Sequence, residues 1–285
     1  KMQHLNQSHA SSHLRQAPRV RPLATLLMLL GFALLIAGKL EAEETWIDST
    51  FASREIQLPP GVPSITLRTD ETAMLWNPAG IAMSNTYFLG YAWKGTYGGD
   101  DLKVSSQFFL AKSKGFGLGI MHDSHSRGKK NTYLVTIAPP VSGNFALGFT
   151  GKWGGGFNFD CGAMATLRRR LILALVGRNL RSKTDARRYL EAGVALTIHR
   201  SRLTFFFDFV NEESKWQKAS TYGGGLVARL TRTVAASISY FVDSNDVGAV
   251  RTTLRIYLSP NSVDGEYSVF SDDWSVIGGR IASHS

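Results

Sequence analysis

From Asn85 onward, apolar and polar residues alternate along the chain in segments that are separated by turn residues. In 203–210, every odd position is Leu or Phe, whereas Thr204 and Asp208 lie at even positions. In 250–258, Arg251 and Arg255 alternate with Val, Leu and Ile in the same way. A period of two predicts β-strands with one apolar face. No part of this region has the 3.6-residue period of an amphipathic helix.

This alternation predicts fourteen strands. Their approximate bounds are 85–93, 101–112, 115–122, 131–139, 144–153, 158–167, 171–179, 187–199, 202–211, 219–230, 233–242, 247–258, 265–270 and 274–283. Many have the length of a tilted strand that crosses a membrane. An even number lets both ends of a barrel finish on the same side, as in single-chain bacterial barrels. The predicted fold is all-β, an antiparallel transmembrane β-barrel of about 14 strands, with 12 strands as the alternative.

The connections between these strands alternate between long polar loops and short turns. The long loops are 94–100, 122–131, 179–187 and 211–219, and the short turns are 112–115, 139–143, 167–170, 199–202 and 230–233. Long external loops and short periplasmic turns are typical of outer-membrane barrels. The short turns are also basic and contain Lys112, Lys114, Arg168, Arg169, Arg170, Arg200, Arg202 and Arg232. These cations either face anionic head groups of the inner leaflet or simply keep tight turns soluble.

The first 42 residues have the layout of a secretory signal peptide. Arg15, Arg19 and Arg21 precede the apolar run 24–38, and Ala42 closes a cleavage site. The apolar run is shorter than the roughly 20 residues that a spanning helix needs. We therefore predict a signal peptide at 1–42 and export to the bacterial outer membrane, with an uncleaved anchor as the alternative.

Charge and cysteine content exclude several classes of function. Removal of the leader, with its five Lys or Arg and one Glu, from totals of 32 and 22 leaves a net charge of +6. Because this charge is modest and forms no basic helix, nucleic acid is not an expected partner. The single cysteine, Cys161, has no partner for a disulfide and no zinc-like spacing to other ligands.

The stretch DETAMLWNPAGIA (70–82) predicts one helical turn that is capped and then stopped. Asp70 or Thr72 can accept the free N–H groups at its start. Asn77-Pro78 and Gly80 then break the helix and turn the chain. A compact element before a run of strands suits a plug at a barrel mouth. An ordinary helix–turn in a soluble protein is the alternative.

The same stretch resembles the signature D-x-T-A-x-x-x-N-P-A-G-[LI]-A of FadL/TodX-type outer-membrane barrels and their PorV/PorQ-like relatives. The segments 175–180 and 189–196 are similar to a hairpin of the PorV-like branch, and 222–228 is loosely similar to a later one. The resemblance implies an N-terminal plug at 43–84 and a barrel at 85–285. Its motif residues here are Asp70, Thr72, Ala73, Trp76, Asn77, Pro78, Ala79 and Gly80.

Charged residues on the polar face of the strands are expected to line the lumen. A charged side chain that faces lipid costs roughly 2–4 kcal/mol near the midplane of the membrane. The predicted lumen-lining charges are Lys94, Lys152, Glu191, Asp208, Arg229, Arg251 and Arg255. They either pair with one another and with the plug or line a polar conduit. Gly117, Gly119, Gly148 and Gly193 on the same face leave space for a plug or a passage, or allow strand curvature.

Groups that could carry catalysis are few. The histidine cluster 122–126 (HDSHS) falls in a predicted external loop, and no second grouping of Ser, His and an acid supports it. The sequence contains no phosphate loop, dinucleotide fingerprint, zinc motif or nucleophile elbow. We therefore expect no enzyme, no metal and no cofactor.

The resemblance implies two functions for such a barrel. One is passive passage of hydrophobic or amphipathic molecules such as fatty acids, gated by movement of 43–84 around Trp76. The other is a non-catalytic scaffold or carrier for a protein secretion or surface assembly, as in PorV-like barrels. The expected partners are outer-membrane lipid and either a hydrophobic small molecule or a secretion or surface protein. A secreted soluble β-protein is the third alternative.

Overall fold

The structure is a computed structural model, and it describes residues 58–98, 101–124, 130–168, 170–181, 188–198, 202–213, 218–244, 248–258, 261–270 and 275–284. The predicted signal peptide, the first part of the predicted plug and parts of several predicted loops lie outside these residues. Two short helices come first, α1 (Ala73–Trp76) and a 3₁₀ helix (Pro78–Met83). No helix formed by the described residues is long and apolar enough to cross a membrane.

Fifteen strands follow the helices in the described residues. They are β1 (Phe88–Gly98), β2 (Asp101–Ser113), β3 (Phe116–Asp123), β4 (Lys130–Ile137), β5 (Pro140–Ser142), β6 (Phe145–Trp153), β7 (Phe157–Leu167), β8 (Leu171–Arg178), β9 (Arg188–Ile198), β10 (Leu203–Glu213), β11 (Lys218–Arg229), β12 (Val234–Asp243), β13 (Gly248–Leu258), β14 (Asn261–Phe270) and β15 (Ser275–His284). Except at the short β5, each strand pairs antiparallel with its neighbours in sequence.

The sheet closes on itself into a 14-strand barrel. β1 pairs with β15, and β4 pairs with β6, so that every strand except β5 has a partner on each side. β5 pairs only with β6 and is an extra strand beside the barrel wall. The prediction of about 14 strands is confirmed, and the alternative of 12 is wrong. Phe88 lies opposite His284, which places the start of β1 and the end of β15 at the end of the short turns.

Most strands have the predicted bounds within three residues, and there are two exceptions. β1 ends at Gly98 rather than at 93, so that most of the predicted loop 94–100 is strand. The other exception is β14. It begins at Asn261 rather than at 265. Ser262, Asp264 and Glu266 are buried on its inward face, whereas Tyr267 is exposed. Two of the outward positions at its start, Asn261 and Gly265, have no apolar side chain, so the alternation there is weak. The start of β14 therefore gave no apolar signal.

The outer surface of the barrel is apolar and the interior is polar. Phe205, Phe207 and Phe209 on β10 are 45%, 48% and 40% exposed, whereas Asp208 between them is 3% exposed. The same inversion of the soluble-protein pattern recurs on the other strands, with Ile238 exposed beside a buried serine on β12. An apolar band around a closed sheet is the surface that lipid requires. The chain is therefore a transmembrane barrel, and the soluble alternative is disfavoured.

The lumen contains residues 58–84, which we call the inner segment. Ile65, Met74 and Ile81 of this segment are fully buried. They belong to an apolar cluster that also contains Phe108, Leu110, Leu134, Met164 and Val176 from the barrel wall. Burial of apolar side chains stabilises by roughly 25 cal/mol per Å² that is removed from water. The inner segment is thus packed as a core inside the barrel.

Lys112 joins the inner segment to the wall near the short-turn end. Its Nζ donates to the carbonyl oxygens of Thr69 at 2.9 Å, Ile81 at 3.2 Å and Ser84 at 3.1 Å. The placement of Lys112 in a turn was wrong, because β2 continues to Ser113. Lys112 is buried at an inward position rather than among the cations that face solvent or lipid head groups.

Inward-facing glycines provide the space that the inner segment fills. A Cβ at Gly117 would lie 3.0 Å from Met74 Cγ, and one at Gly193 would lie 2.9 Å from Ile65 Cγ1. At Gly148, a Cβ would overlap the carbonyl group of Pro78. Strand glycine is expected where another part of the backbone approaches closely.

We expect Gly148→Val to lower the free energy of unfolding by about 1–3 kcal/mol, the usual cost of overpacking. The added side chain meets backbone atoms of Pro78 and Ala79, which cannot rotate away. Gly265→Val on β14 is the matched control, because a Cβ there has nothing within 4 Å. Urea unfolding of the purified barrels, followed by tryptophan fluorescence, compares the two. An equal loss in both variants would show that strand glycine matters without regard to the inner segment.

Candidate functional site

The stretch 70–82 forms two linked helices, α1 and the 3₁₀ helix. Asp70 Oδ1 accepts the backbone N–H of Thr72 at 3.1 Å and also its hydroxyl group. The side chain of Thr72 itself caps no helical N–H. Asn77 leaves the helical conformation, and its Oδ1 accepts the N–H of Ala79 at 3.1 Å, while Pro78 opens the 3₁₀ helix. Asp70 therefore bonds the N-cap residue rather than a free N–H of α1, so the predicted side-chain cap by Asp70 or Thr72 was wrong. Asn77-Pro78 start the 3₁₀ helix.

Trp76 is the largest side chain that the inner segment buries. It is 1% exposed, and its indole N–H donates to the carbonyl of Pro59 at 3.3 Å. The Arg68 guanidinium lies 5.4 Å from the ring centroid. Ala73 and Ala79 are fully buried, and Gly80 lies against the Arg68 carbonyl oxygen. These contacts fold the inner segment onto itself around one aromatic ring.

Asn77 also fastens the inner segment to the barrel wall. Its Nδ2 donates to the carbonyl of Ile65 at 3.2 Å and to that of Ala163 on β7 at 3.4 Å. A Cβ at the neighbouring inward position Gly162 would collide with the Asn77 carboxamide. The amide thus links two parts of the inner segment and one barrel strand.

Arg178, at the end of β8, satisfies the carbonyl end of α1. Its guanidinium donates to the carbonyl oxygens of Leu75 and, at 2.5 Å, of Trp76. The same group pairs with Glu191 on β9 and lies 4.0 Å from Asp160 on β7. Carbonyls at the end of a helix have no partners within the helix, and a cation there is favourable. Three strands therefore hold the end of α1.

A second group of charges joins the start of α1 to the other side of the barrel. We call it the inner ion network; its members are Arg68, Asp70, Glu71, Arg255, Asp264 and Arg280. Arg280 NH1 lies 2.7 Å from Asp70 and 3.0 Å from Glu71, and its NH2 lies 2.5 Å from Asp264. Arg255 bonds Asp264 at 2.6 Å and lies 3.4 Å from Asp70. Arg280 on β15 is thus the common partner of three carboxylates.

Burial moves the pKa values of the inner-segment members in different directions. It lowers the pKa of Arg68 to about 10, against the opposing effect of Asp70. Burial alone would raise the pKa of Asp70, but Arg280, Arg68 and Arg255 outweigh it and hold that pKa well below its usual range. For Glu71 burial prevails over Arg280, and the nearby Asp70 charge adds to it, so that its pKa is raised. Asp70 is the firmly ionised carboxylate of the pair.

We expect Glu71→Gln to change how stability depends on pH. Because the Glu71 pKa is raised on folding, the folded chain holds this proton more tightly than the unfolded chain does. The free energy of unfolding then falls as pH rises through the folded-state pKa, and Gln removes this fall. Urea unfolding at several values between about pH 5 and pH 9 measures it. A Gln variant that is destabilised equally at every pH would contradict the assignment.

Of the predicted lumen-lining charges, most form ion pairs inside the barrel, one accepts a backbone N–H of the inner segment, and one is exposed. Lys94 lies 3.0 Å from Glu266, Arg251 lies 3.6 Å from the same carboxylate, and Lys152 lies 2.7 Å from Asp160. Glu191 and Arg255 belong to the groups described above. Asp208 accepts the backbone N–H of Ile65 at 3.2 Å. Arg229 is exposed at the end of β11, where it donates to the Arg232 carbonyl at 3.2 Å.

Several charged residues of this site were absent from the predicted set of lumen-lining charges. They are Arg68, Lys112, Asp160, Arg178, Asp264, Glu266 and Arg280. The barrel members among them lie at inward positions of their strands, so the alternation itself marks them as lumen-facing. Their signal was the need for each buried charge to have a partner of opposite sign.

The residues considered for other chemistry show ordinary contacts. His122 Nδ1 lies 2.7 Å from Asn131 Oδ1, and both are on paired strands. Two other members of that cluster, His125 and Ser126, lie outside the described residues. Cys161 on β7 is a free, half-buried thiol. Among the described residues, no three His, Cys, Asp or Glu side chains are grouped as metal ligands.

Comparison with solved structures shows what fold this is. No protein-family model matches the chain, and no curated protein matches it. The toluene transporter TbuX of Ralstonia pickettii is similar over 80% of this chain and 96% of its own, with 10% identity and a TM-score of 0.55. The toluene transporter TodX of Pseudomonas putida is similar over 80% of this chain and 96% of its own, with 10% identity and a TM-score of 0.53. Omp33 of Acinetobacter baumannii, an outer membrane protein, is similar over 72% of this chain and 100% of its own, with 9% identity and a TM-score of 0.50.

At this identity the likeness shows the fold alone. The expected resemblance to FadL/TodX-type barrels is confirmed at that level, and a similarity to the PorV-like branch stays a prediction. The shared fold and the apolar exterior support a location in the outer membrane. The proteins with this fold in the comparison include transporters.

Proposed function

We propose that this chain is an outer-membrane barrel for passive passage of hydrophobic or amphipathic molecules such as fatty acids. The observation that carries the proposal is the inner segment, which is buried inside a closed 14-strand wall that has an apolar exterior. We infer that residues 43–84 act as its plug. TbuX and TodX, whose fold it shares, are described as toluene transporters, and toluene is a hydrophobic molecule.

Movement of the inner segment is required for passage along the lumen, because that segment occupies the space between opposite walls. Hydrogen bonds and ion pairs hold it on several sides, from Lys112 and Arg178 to Arg280. No disulfide within the chain can hold it, because Cys161 is the sole cysteine. A segment fastened only by polar contacts and packing can be released and can return. We therefore infer that it gates the barrel.

The two walls of the lumen differ in a way that suits an amphipathic cargo. One wall, formed by β2, β4, β7 and β8, presents apolar side chains to the inner segment, namely Phe108, Leu110, Leu134, Met164 and Val176. The opposite wall, formed by β13, β14 and β15, presents Arg251, Arg255 and Arg280 together with Asp264 and Glu266, so that it keeps an excess of positive charge when Asp70 and Glu71 leave with the segment. When the segment moves, a chain with an apolar tail and an acidic head would meet a matching surface on each side. This is the argument for fatty acids.

Uptake measurements test the proposal. The full-length protein is produced in the outer membrane of a host that lacks its own fatty-acid barrel, and initial rates are measured for a labelled long-chain fatty acid, for toluene and for a disaccharide. We expect faster uptake of the fatty acid than in cells with an empty vector, and no change for the disaccharide. Uptake of the hydrophobic probes at the empty-vector rate, with the barrel correctly inserted, would contradict the proposal.

A scaffold for a secretion or surface protein is the second candidate function. The observation that favours it is the dense fastening of the inner segment, in which Arg178 and Arg280 each bind at least two groups. A permanently closed barrel would need such contacts, whereas a gate must break them. Cross-linking in intact cells, followed by purification of the barrel, tests it: a specific protein partner together with absent uptake would favour the scaffold.

A further inference from the structure

The short-turn end of the barrel has a concentrated positive charge. Arg168 and Arg170 lie between β7 and β8, Arg202 lies between β9 and β10, and Arg232 lies between β11 and β12. All four are exposed, and we call them the basic arc. The connections 168–170, 199–202 and 230–233 contain no Asp or Glu. Nothing within these connections neutralises the arc.

The three connections follow one another around the rim. Successive connections lie two strands apart, and neighbouring strands are separated by about 4.8 Å, which gives a spacing of roughly 10 Å. This spacing is comparable to the Debye length of about 8 Å at physiological ionic strength, so that the charges of neighbouring connections act partly together. The basic arc therefore presents one field over about a third of the rim.

The opposite end of the barrel lacks this excess. The loop region 211–219 contains two Glu and two Lys, and the loop regions 243–247 and 271–274 each contain two Asp and no Lys or Arg. Mixed signs cancel at a distance, whereas a single sign does not. The positive field is thus a property of the short-turn end rather than of the protein as a whole.

Exposed apolar side chains adjoin the basic arc. Leu167, directly before Arg168, is 46% exposed, and Leu230, two residues before Arg232, is 62% exposed. These leucines continue the apolar outer surface to the border of the arc. A cation at the edge of a lipid-facing surface lies at the level of the head groups. The partner of the arc must therefore be found at that level.

We propose that the basic arc binds the head groups of anionic phospholipids in the leaflet around the short-turn end. A phosphate group accepts paired hydrogen bonds from a guanidinium group, which favours arginine over lysine at such a site. All four positions of the arc are arginine. The inference depends on the barrel spanning a membrane, and it is independent of what the lumen carries.

Lipid retention in nanodiscs tests the proposal. The full-length barrel is placed in discs of phosphatidylcholine with one-quarter phosphatidylglycerol, and native mass spectrometry counts the lipids that stay bound after the disc is removed. The test variant carries Arg168→Gln, Arg170→Gln, Arg202→Gln and Arg232→Gln. The matched control carries Lys103→Gln, Lys130→Gln, Arg181→Gln and Arg188→Gln, which removes four charges at the other end. Heat-modifiable migration verifies folding of both.

We expect wild type and control to raise the ratio of bound phosphatidylglycerol to bound phosphatidylcholine at least threefold over the ratio in the disc, and the test variant to lose most of this enrichment. High salt should weaken the enrichment, because the interaction is between exposed charges. Equal enrichment in the test variant and in wild type would overturn the proposal, as would an equal loss in the control. The first of these results would leave an acidic protein segment as the better partner for the arc.

Discussion

Arg280→Met is expected to lower the free energy of unfolding by about 3–5 kcal/mol, the usual cost of removing one partner from a buried ion pair. Arg280 is 3% exposed and contacts Asp70, Glu71 and Asp264. Methionine has a similar length and fills the space, but it leaves three carboxylates with fewer cations around them. The loss therefore comes from charge rather than from a cavity.

The pH dependence of this loss of stability distinguishes an effect of charge from an effect of packing. Without Arg280, Asp70 loses the strongest of the cations that lower its pKa, and its ionised form becomes costly. The difference between variant and wild type should be largest above the ordinary carboxylate pKa of about 4 and should shrink as the pH falls through that value. Urea unfolding in one detergent between about pH 3 and pH 8 measures it.

Arg232→Met is the matched control for Arg280→Met. Arg232 is an exposed arginine in a short turn, and its replacement should change stability by no more than about 0.5 kcal/mol. A loss of the same size at both positions would show that any arginine of this barrel has that effect. A loss at Arg280 that is constant across the pH range would point to packing rather than to the inner ion network.

The barrel could be predicted because lipid outside and polar groups inside impose a period of two on every strand. The phenylalanines at the odd positions of 203–210 lie outward, and Phe206, at an even position, is buried inside. The alternation of long and short connections then gives the order and direction of the strands. Where outward positions have no apolar side chain, as at Asn261 and Gly265 at the start of β14, the same rule gives a weaker signal.

The contacts of the inner segment were beyond prediction, because they join residues that are far apart in sequence. Asp70 and Arg280 are 210 positions apart, and Asn77 reaches a carbonyl group 86 positions away. Which inward residue meets the segment depends on the stagger of neighbouring strands, which no local pattern contains. The inward position of Arg280 on its strand could be deduced from the alternation, but only the closed barrel brings it to Asp70.

For Lys112, the alternation predicted the strand correctly, but the predicted surroundings of its side chain were wrong. It lies near the end of a strand, where lysines are common in solvent-exposed turns. In the structure β2 extends past it, and its ammonium group binds three carbonyl groups of the inner segment. A shift of one or two residues at a strand end decides whether a cation faces the membrane surface or the lumen.

The central claim is that the inner segment must move for a molecule to pass, and a disulfide can prevent that movement. A Cβ at Gly117 would lie 3.0 Å from Met74 Cγ, the atom that a cysteine sulfur replaces. In a disulfide, the distance from Cβ to the far sulfur is also about 3 Å. Met74→Cys with Gly117→Cys therefore joins α1 to β3. The native Cys161 is replaced by serine to prevent mispairing.

The most direct test is the uptake rate of a labelled long-chain fatty acid by cells that carry this double-cysteine barrel, before and after oxidation. The two single-cysteine variants receive the same oxidant as controls, and migration on a gel verifies the cross-link. We predict that oxidation lowers the rate at least tenfold in the double variant alone and that a reductant restores it. A fully cross-linked barrel that still takes up the fatty acid at its reduced rate would contradict the gate.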